Sequence, residues 1–406
     1  MVVFLLVLVV LLGAVHWYVW RRLVRDVTEA GSRGRRVGTA AVVALPVLSV
    51  GALVSSRVGA PFVVQQVVAW PGFLWLAVLL YLVLALAVGE AVRPLLRAWV
   101  ARRAVAPDPV PVSVPVSVPA VEEPAEAVPA EVSRRLFVSR VVAGSAAAVA
   151  VGTVGYGTYG VLRGPRVKRV TVPLAKIPRA AHGYRIAVVS DIHLGPVLGR
   201  AHTQRIVDSI NAAQPDLIAV VGDLVDGTVE NLGPAAEPLA RLRARHGSFF
   251  VTGNHEYFSG ADAWVDHVRE LGLRPLRNAR VEIPAGFDLA GVDDVAGESE
   301  GQGPDFGRAL GDRDRARAAV LLAHQPIVIH DAVRHGVDLQ LSGHTHGGQL
   351  WPGNYLAELA NPTVAGLERY GDTQLYVSRG AGAWGPPVRV GAPSDITIVE
   401  LASKQA

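Results

Sequence analysis

Acidic, amide and imidazole side chains recur in five short motifs in the second half of the chain, each directly after a run of β-type residues. The motifs are Asp191-Ile192-His193, Gly222-Asp223-Leu224-Val225-Asp226, Gly253-Asn254-His255-Glu256, Ala323-His324-Gln325-Pro326 and Gly343-His344-Thr345-His346. Side chains two residues apart on an extended segment point to the same side, so Asp191 and His193 are expected to converge on one cation. The chain has no cysteine, so a metal must use nitrogen and oxygen ligands. Five such motifs in succession predict a metal centre.

The second and third motifs indicate different roles for their members. Asp223 has two carboxylate oxygens and can bridge two ions, which makes it the natural shared ligand. Asn254 offers a neutral carbonyl oxygen, and the neighbouring His255 is then free for proton chemistry. A mixed set of His, Asp and Asn ligands suits Mn, Fe or Zn and does not select one of them.

Short β-type runs alternate with helical segments beyond Val170, which predicts an α/β domain. The predicted strands are Arg185–Ser190, Leu217–Val221, Ser248–Thr252, Val320–Ala323, Leu339–Leu341 and Leu375–Ser378. Loops at the carboxyl ends of strands can gather ligands from distant parts of a chain. On these residues alone, a doubly wound sheet remains as compatible as any other α/β arrangement.

The five motifs, in this order, resemble the signature of the calcineurin-like metallophosphoesterase family: D-x-H, G-D-x-x-D, G-N-H-[DE], a single His and G-H-x-H. The resemblance covers roughly residues 165–401. Gly253-Asn254-His255-Glu256-Tyr257, Ser378-Arg379-Gly380 and Gly385-Pro386-Pro387-Val388-Arg389 are similar to a membrane-associated bacterial branch of that family. The resemblance implies a sandwich of two mixed β-sheets flanked by helices.

The same resemblance implies a ligand set for two divalent metal ions. One ion would be held by Asp191, His193, Asp223 and His346, and the other by Asp223, Asn254, His324 and His344. Two such ions would bind the phosphoryl oxygens and a bridging water that attacks the ester. His255 is then expected to protonate the leaving oxygen, and Asp226 to orient neighbouring ligands through hydrogen bonds.

The N-terminal part of the chain has the composition of a membrane region. Residues 1–100 hold three predicted transmembrane helices, Val2–Trp20, Val37–Ser56 and Pro71–Gly89. Residues 101–132 are a Pro-rich linker. In residues 133–163, Ser133-Arg134-Arg135 precedes the uncharged run Val141–Leu162, which indicates either a twin-arginine export signal, cleaved or not, or a fourth transmembrane helix. Residues 165–406 are the predicted metallophosphoesterase domain.

The arginines predict the orientation of these spans, because positive loops tend to stay in the cytoplasm. Arginines follow the first and third spans, and residues 58–70 contain none. The N-terminus and the catalytic domain are therefore expected outside a cytoplasmic membrane that the chain crosses several times. The formal charge of +4 is small and forms no basic stripe, so no nucleic-acid partner is expected.

These features predict metal-dependent hydrolysis of a phosphodiester or phosphomonoester at the outer side of the cytoplasmic membrane. The substrate would be a phosphorylated small molecule or lipid. Two alternatives stay open at this point. The domain could hydrolyse the pyrophosphate of a nucleotide-linked lipid, or it could bind phosphorylated envelope polymers without catalysis.

Overall fold

A computed structural model describes residues 2–103 and 130–404 of the chain. These residues fall into two compact units. The first comprises the described residues of Met1–Val47 and Val78–Thr153, and the second those of Leu48–Ala77 and Val154–Ala406. Most of the predicted Pro-rich linker, residues 104–129, lies outside the described part of the chain.

Long apolar helices make up the N-terminal part. They are α1 (Val2–Trp20), α2 (Arg33–Val54), α3 (Phe62–Arg103) and α4 (Ala130–Leu162). Among the described residues, three segments are long and apolar enough to cross a membrane: Arg33–Val54, Phe62–Val100 and Arg134–Leu162. The first predicted span coincides with α1, and the other three predicted spans lie on α2, α3 and α4.

The connection between the second and third spans differs from the prediction. Helix α2 ends at Val54, and α3 begins at Phe62, nine residues before the predicted span at Pro71. The connection therefore comprises residues 55–61 instead of 58–70, and it includes Arg57. The expectation that this connection lacks a basic residue is therefore wrong. One arginine here is still fewer than the six between Arg21 and Arg36, so the charge bias is smaller but keeps its sign.

Glu90 of α3 is the acidic partner of two arginines within the first unit. Its carboxylate lies 2.9 Å from Arg22 Nε and 3.4 Å from Arg93 Nη1, and it accepts a hydrogen bond of 3.4 Å from the Tyr18 hydroxyl. Charged groups beside apolar helices are costly unless they are paired. These ion pairs tie the end of α1 to α3.

Twelve strands form two six-stranded mixed sheets in the second unit. The strands are β1 (Arg166–Leu174), β2 (Tyr184–Val189), β3 (Leu217–Val221), β4 (Ser248–Val251), β5 (Arg274–Pro275), β6 (Ala279–Ile283), β7 (Phe287–Gly291), β8 (Ala318–Leu322), β9 (Leu339–Ser342), β10 (Gly366–Tyr370), β11 (Thr373–Val377) and β12 (Asp395–Ser403). The first sheet has the order β1-β12-β2-β3-β4-β5, and the second β10-β11-β9-β8-β7-β6. The prediction of two mixed sheets is confirmed, and the doubly wound alternative is wrong.

Seven α-helices lie among these strands along the described chain. They are α5 (Arg200–Ala213), α6 (Val229–Ala236), α7 (Asn254–Ser259), α8 (Ala261–Glu270), α9 (Phe306–Leu310), α10 (Ile329–Arg334) and α11 (Gly353–Ala360). Apolar residues of α5, α6 and α8 pack on the first sheet, and those of α9 and α10 pack on the second. The inner faces of the two sheets share one core.

Strand β2 shows why the central strands of these sheets have apolar residues at consecutive positions in the sequence. Ile186 and Val188 point into the core between the sheets, whereas Ala187 and Val189 pack toward the helices. A strand buried on both faces needs apolar side chains at every position. All six predicted strands of this kind are present, with ends shifted by at most two residues.

Parallel pairing places the ends of these strands together. β2, β3 and β4 are parallel neighbours in the first sheet, and β8, β9 and β11 are parallel neighbours in the second. The carboxyl ends of parallel neighbours lie at the same edge of a sheet. The loops that carry the five motifs therefore lie at two such edges.

Candidate metal centre

All seven predicted ligands come from loops that follow β2, β3, β4, β8 and β9, and the fold brings them together in two adjoining groups. The first contains Asp191, His193 and His346, and the second Asp223, His324 and His344. Within each group the ligand atoms lie within 4.8 Å of one another. Asn254, at the start of α7, joins the second group, because its Oδ1 lies 3.0 Å from His344 Nδ1.

Imidazole nitrogens face each other in the first group. His193 Nε2 and His346 Nε2 are 3.0 Å apart, and Asp191 Oδ1 lies 3.5 Å from His346 Nε2. Atoms that bind one ion at about 2.0 to 2.2 Å lie roughly 3 to 3.5 Å from each other. The three side chains thus have the spacing of ligands to one ion.

Asp223 lies between the two groups. Its Oδ2 is 3.1 Å from His324 Nε2 and 3.7 Å from His193 Nε2. The side chain is almost completely buried. A carboxylate in this position can contact ions bound to either group, as expected of a shared ligand.

The proton positions of His324 and His193 test whether these groups suit a metal. His324 Nδ1 lies 2.8 Å from the Val221 carbonyl oxygen, and His193 Nδ1 lies 2.9 Å from Asp226 Oδ1. These partners only accept, so in each neutral ring the proton is on Nδ1 and Nε2 presents a lone pair to the centre. The buried His324 Nε2 makes no hydrogen bond and faces a carboxylate oxygen. Either a proton or a metal ion can lie between two such acceptors, so the pair fits a metal ligand set.

Arg389 approaches His346 from the opposite side of the ring. Its Nη2 is 3.0 Å from His346 Nδ1, and its Nη1 donates to the His346 carbonyl oxygen at 3.0 Å. A guanidinium only donates, so Nδ1 accepts and Nε2 carries the proton of the neutral ring. That proton lies between the Nε2 atoms of His346 and His193. An ion held there would replace it, and binding would release a proton.

Five of the seven predicted ligands have a left-handed backbone conformation. The φ angles are 52° for Asp191, 49° for His193, 52° for Asp223, 74° for His344 and 52° for His346. Non-glycine residues rarely adopt this conformation, and each costs roughly 1 to 3 kcal/mol unless the surroundings enforce it. Such strain is concentrated at functional sites.

This geometry corrects the reason given for the convergence of Asp191 and His193. β2 ends at Val189, so neither residue lies on an extended strand, and the alternation argument does not apply. The two side chains meet because the backbone turns sharply at both positions. His344 and His346 have the same spacing, yet they belong to different groups.

Glycines permit the close approach of these loops. A Cβ atom on Gly253 would lie 2.3 Å from Asp223 Oδ1, and one on Gly380 would lie 2.5 Å from Asp191 Cβ. Gly380 also has a φ of 81°. Any larger residue at either position would push a predicted ligand out of place.

Glu256 organises the backbone around Asp223. Its buried carboxylate accepts hydrogen bonds from the backbone N–H groups of Gly253 (2.6 Å), Leu224 (2.8 Å) and Asp223 (3.0 Å). Burial, together with the nearby charge of Asp223, raises the pKa of Glu256 to about 7, and the backbone donors act in the opposite direction. The side chain joins the loop after β3 to that after β4.

The histidine pKa values diverge because burial and neighbouring charges oppose each other. Burial acts to lower the pKa of His193, but the carboxylates of Asp226, Asp223 and Asp191 together outweigh it and raise that pKa to about 9. Burial and the charge of His324 lower the pKa of His344 to about 4. Burial and the charges of His193 and Arg389 hold the pKa of His346 well below its usual range. Neighbouring imidazoles cannot all carry a proton, and an ion bound among neutral rings removes that conflict.

His255 lies at the open side of the centre. Its Nδ1 is 2.7 Å from Asp226 Oδ1, and its Nε2 is 4.0 Å from Asp223 Oδ2. Its backbone N–H donates to Asp223 Oδ1 at 2.9 Å. Asp226 therefore contacts both His193 and His255, and it holds each ring by Nδ1.

Two members of the site, Glu256 and Arg389, have roles that the sequence does not reveal. Glu256 was part of a predicted motif, but its position in the sequence does not reveal the three backbone donors that it accepts. Arg389 belongs to the Gly385–Arg389 segment, which carried a resemblance but no chemistry. The glycine and two prolines of this segment indicate a constrained loop. A charged residue held in such a loop is the one feature of the sequence that points to a role for Arg389.

Two mixed sheets that gather acidic, amide and imidazole ligands into two groups joined by one carboxylate define a dinuclear metal-dependent hydrolase. The family model described as calcineurin-like phosphoesterase matches residues 184–348. The chain therefore has both the architecture and the signature of that class.

Named relatives agree with this assignment. A transmembrane protein with metallophosphoesterase domain from Danio rerio is 39% identical over 264 residues, which cover 62% of this chain and 60% of the relative. Uncharacterized metallophosphoesterases from Helicobacter pylori (strain J99) and Aquifex aeolicus are 38% and 36% identical over 251 and 243 residues. These matches cover 61% and 59% of this chain, and 67% and 92% of the relatives. The match thus spans about 60% of the Danio rerio protein. The chain belongs to the calcineurin-like metallophosphoesterases, which use two divalent metal ions.

Replacing the shared carboxylate should remove metal from both positions. We expect Asp223→Asn to lose most of the metal bound by the purified full chain, because repulsion between two cations is no longer offset by a negative charge between them. Elemental analysis after dialysis measures this. Asp208→Asn, on the exposed face of α5, is the control and should keep the wild-type content. Full metal content in Asp223→Asn would contradict the shared position of Asp223.

Arg389 should influence metal binding through His346. Arg389→Lys removes the planar guanidinium that contacts His346 and the carbonyl oxygens of Gly382 and Ala392. Because the His346 ring then loses its support, we expect metal affinity to fall roughly 10 to 100-fold. Competition with a chelator measures the affinity, and the unfolding temperature of the metal-free chain reports any purely structural effect. Arg369→Lys, on the exposed strand β10, serves as the control. An unchanged affinity in Arg389→Lys would show that His346 needs no support from this side.

Proposed function

We propose that this protein hydrolyses phosphodiesters or phosphomonoesters at the outer surface of a cytoplasmic membrane. The observation that carries the proposal is the buried carboxylate of Asp223, in contact with His324 on one side and facing His193 on the other. We assign Asp191, His193, Asp223 and His346 to one ion, and Asp223, Asn254, His324 and His344 to the other. When bound, two divalent ions supply Lewis-acid stabilisation of the phosphoryl oxygens and lower the pKa of a bound water.

The proposed reaction adds water across one P–O bond. The water oxygen forms the new bond to phosphorus, the bond to the leaving oxygen breaks, and that oxygen needs a proton. We assign the proton donation to His255. Asp226 holds the ring by Nδ1, so Nε2 is the nitrogen that faces the centre and can exchange a proton with substrate.

The proposed domain organisation places this chemistry next to the bilayer. A membrane region of residues 1–100, a linker of residues 101–132 and the segment 133–163 precede the catalytic domain at residues 165–406. Only Arg163, Gly164 and Pro165 separate the end of α4 from β1. A connection of this length reaches about 10 to 14 Å when extended, so the domain cannot move far from the end of a membrane-spanning α4.

Turnover of simple esters tests the proposal. The purified full chain should hydrolyse bis-p-nitrophenyl phosphate or p-nitrophenyl phosphate, lose activity on chelation, and regain it with Mn, Fe or Zn. Absence of turnover with each of the three metals would contradict the proposal and favour a non-catalytic binding role.

The role of His255 predicts a dependence on the leaving group. His255→Ala should slow hydrolysis of esters with a poor, alkyl leaving group by roughly 10² to 10⁴-fold. With p-nitrophenolate the loss should be much smaller, because this oxygen leaves without a proton. Rates across a series of leaving groups measure the difference, and His330→Ala, exposed on α10, is the matched control. Full activity of His255→Ala on the alkyl ester would exclude proton donation by this residue.

The proposed orientation predicts which side of the membrane is reactive. The natural chain has no cysteine, so single cysteines can be introduced without background. In intact cells, a membrane-impermeant maleimide should label Ser299→Cys in the catalytic domain. It should label Ala30→Cys, in the arginine-rich loop after α1, only after permeabilisation. The reverse pattern would place the catalytic domain in the cytoplasm.

A further inference from the structure

Large aromatic side chains flank the open side of the metal centre. The ring of His255 lies 5.7 Å from the ring of Trp384 and 5.6 Å from that of Phe258, measured between centroids. Trp384 is 54% exposed and Phe258 is 76% exposed. Two largely exposed aromatic rings therefore contact the side chain proposed to donate the proton.

Helix α11 continues this apolar character. Tyr355, Leu356 and Leu359 are 59%, 71% and 85% exposed. Residues three and four positions apart lie on the same face of a helix, so Leu356 and Tyr355 both neighbour Leu359. Leaving large apolar side chains in water instead of burying them is unfavourable, and clustered exposure of this kind marks an interaction site.

Hydrogen bonds and close packing join α11 to the loop that carries Trp384. Gln349 Nε2 donates to the Trp384 carbonyl oxygen at 2.9 Å, and its Oε1 accepts from the Trp384 backbone N–H at 3.0 Å. Gly348 packs so closely on the start of α11 that a Cβ atom there would lie 2.3 Å from Asn354 Cα. Phe258 and Trp384 thus contact His255, and α11 is joined to the loop of Trp384. We name Phe258, Trp384, Tyr355, Leu356 and Leu359 the apolar rim.

The loop that carries Trp384 also contacts the apolar helices within the second unit. The Arg389 backbone N–H lies 3.4 Å from the carbonyl oxygen of Gly157, near the end of α4. A Cβ atom on Gly385 would lie 3.9 Å from the Phe73 ring of α3, and Ala383 packs with Val161 of α4. The rim is therefore continuous with segments that are long and apolar enough to cross a bilayer.

We propose that the apolar rim binds the hydrocarbon chain of a membrane lipid whose phosphate ester enters the metal centre. This inference rests on the proposed function and specifies its substrate class: an amphiphilic phosphate ester that resides in the same membrane as the protein. Three features support it together. The rim adjoins His255, it adjoins the end of a candidate membrane span, and it presents Trp and Tyr rings, which favour the boundary between lipid and water.

Alkyl p-nitrophenyl phosphodiesters distinguish binding of the alkyl chain by the rim from cleavage of the ester bond at the metal centre. The bond that is cleaved stays the same in all of them, and only the length of the alkyl chain changes. We expect the full chain, reconstituted in phosphatidylcholine vesicles, to have a higher kcat/KM for the hexadecyl ester than for the ethyl ester. The double variant Leu356→Ser with Leu359→Ser should lower the ratio of the two kcat/KM values roughly tenfold, mainly through KM. The rate on the ethyl ester normalises each preparation.

The matched control keeps the apolar surface. Leu356→Met with Leu359→Met should hold the ratio within about twofold of wild type, because methionine has a similar volume and polarity. Both leucines are largely exposed, so neither double variant is expected to unfold the domain.

The outcomes distinguish the inference from the proposed function. Turnover of the ethyl ester without preference for the hexadecyl ester would leave the proposed function standing and overturn the lipid substrate. A wild-type ratio in the serine variant would also overturn it. So would a change in the mass of the detergent-solubilised particle in that variant, which would assign the rim to contact with a second copy. Absence of turnover of both alkyl esters would overturn the lipid substrate, and the proposed function would fall with it only if bis-p-nitrophenyl phosphate and p-nitrophenyl phosphate were not hydrolysed either.

Discussion

Buried ligand atoms that face one another impose the main constraint on this structure. His324 Nε2 points at Asp223 Oδ2 from 3.1 Å, and His193 Nε2 points at His346 Nε2 from 3.0 Å. The outer nitrogens of His324 and His193 are already committed to groups that only accept. Protons can relieve some of these contacts, but each added proton repels the next in a site that excludes water. Two divalent ions would replace the protons between these atoms and would be held by Asp191, His193, Asp223, Asn254, His324, His344 and His346.

Such an arrangement is unfavourable in the metal-free chain, so the rest of the domain must enforce it. Five ligands have strained backbones, and Asp223 is held from behind by the carboxylate of Glu256 through its backbone N–H. The rigid element behind these loops is the shared core of the two sheets, whose side chains come from β2, β3, β8 and β9. Stability from apolar burial in that core opposes the strain at the strand ends.

Much of the site could be predicted from the sequence, because each ligand loop follows a strand that is buried on both faces. Runs such as Leu217–Val221 are apolar at every position and end at a polar motif, so both the strand and its functional end are visible. The edge strands were missed for the opposite reason. β1 alternates exposed and buried positions and carries Arg166, Lys168 and Arg169, and its nine-residue parallel pairing with β12 joins segments more than 200 residues apart. No local pattern reveals such a pairing.

The predicted ligand pairs show a second limit of sequence reasoning. Asp191 and His193 do meet, but through two left-handed residues and not through the alternation of a strand. His344 and His346 share that spacing and separate into different groups. Spacing therefore indicated that these residues act together, whereas the assignment of each to a group depends on backbone angles that are enforced by distant contacts. Arg389 makes one of these distant contacts. Its role cannot be predicted from the sequence, because only the fold places its guanidinium against His346.

Arg389 also links the metal centre to the membrane segment. Its guanidinium contacts His346, and its backbone N–H contacts Gly157 of α4, so a single residue connects a candidate ligand with a candidate membrane span. The three-residue connection after α4 limits the distance of the domain from the end of this helix, but it leaves the orientation open. The contact through Arg389 restricts the orientation as well, because it holds the loop of Trp384 against the helix end. A substrate confined to the same bilayer would then meet the open side of the centre at high effective concentration, without first leaving the membrane. The proposed lipid substrate gives the apolar side chains around His255 a role, because its hydrocarbon chain would bury them.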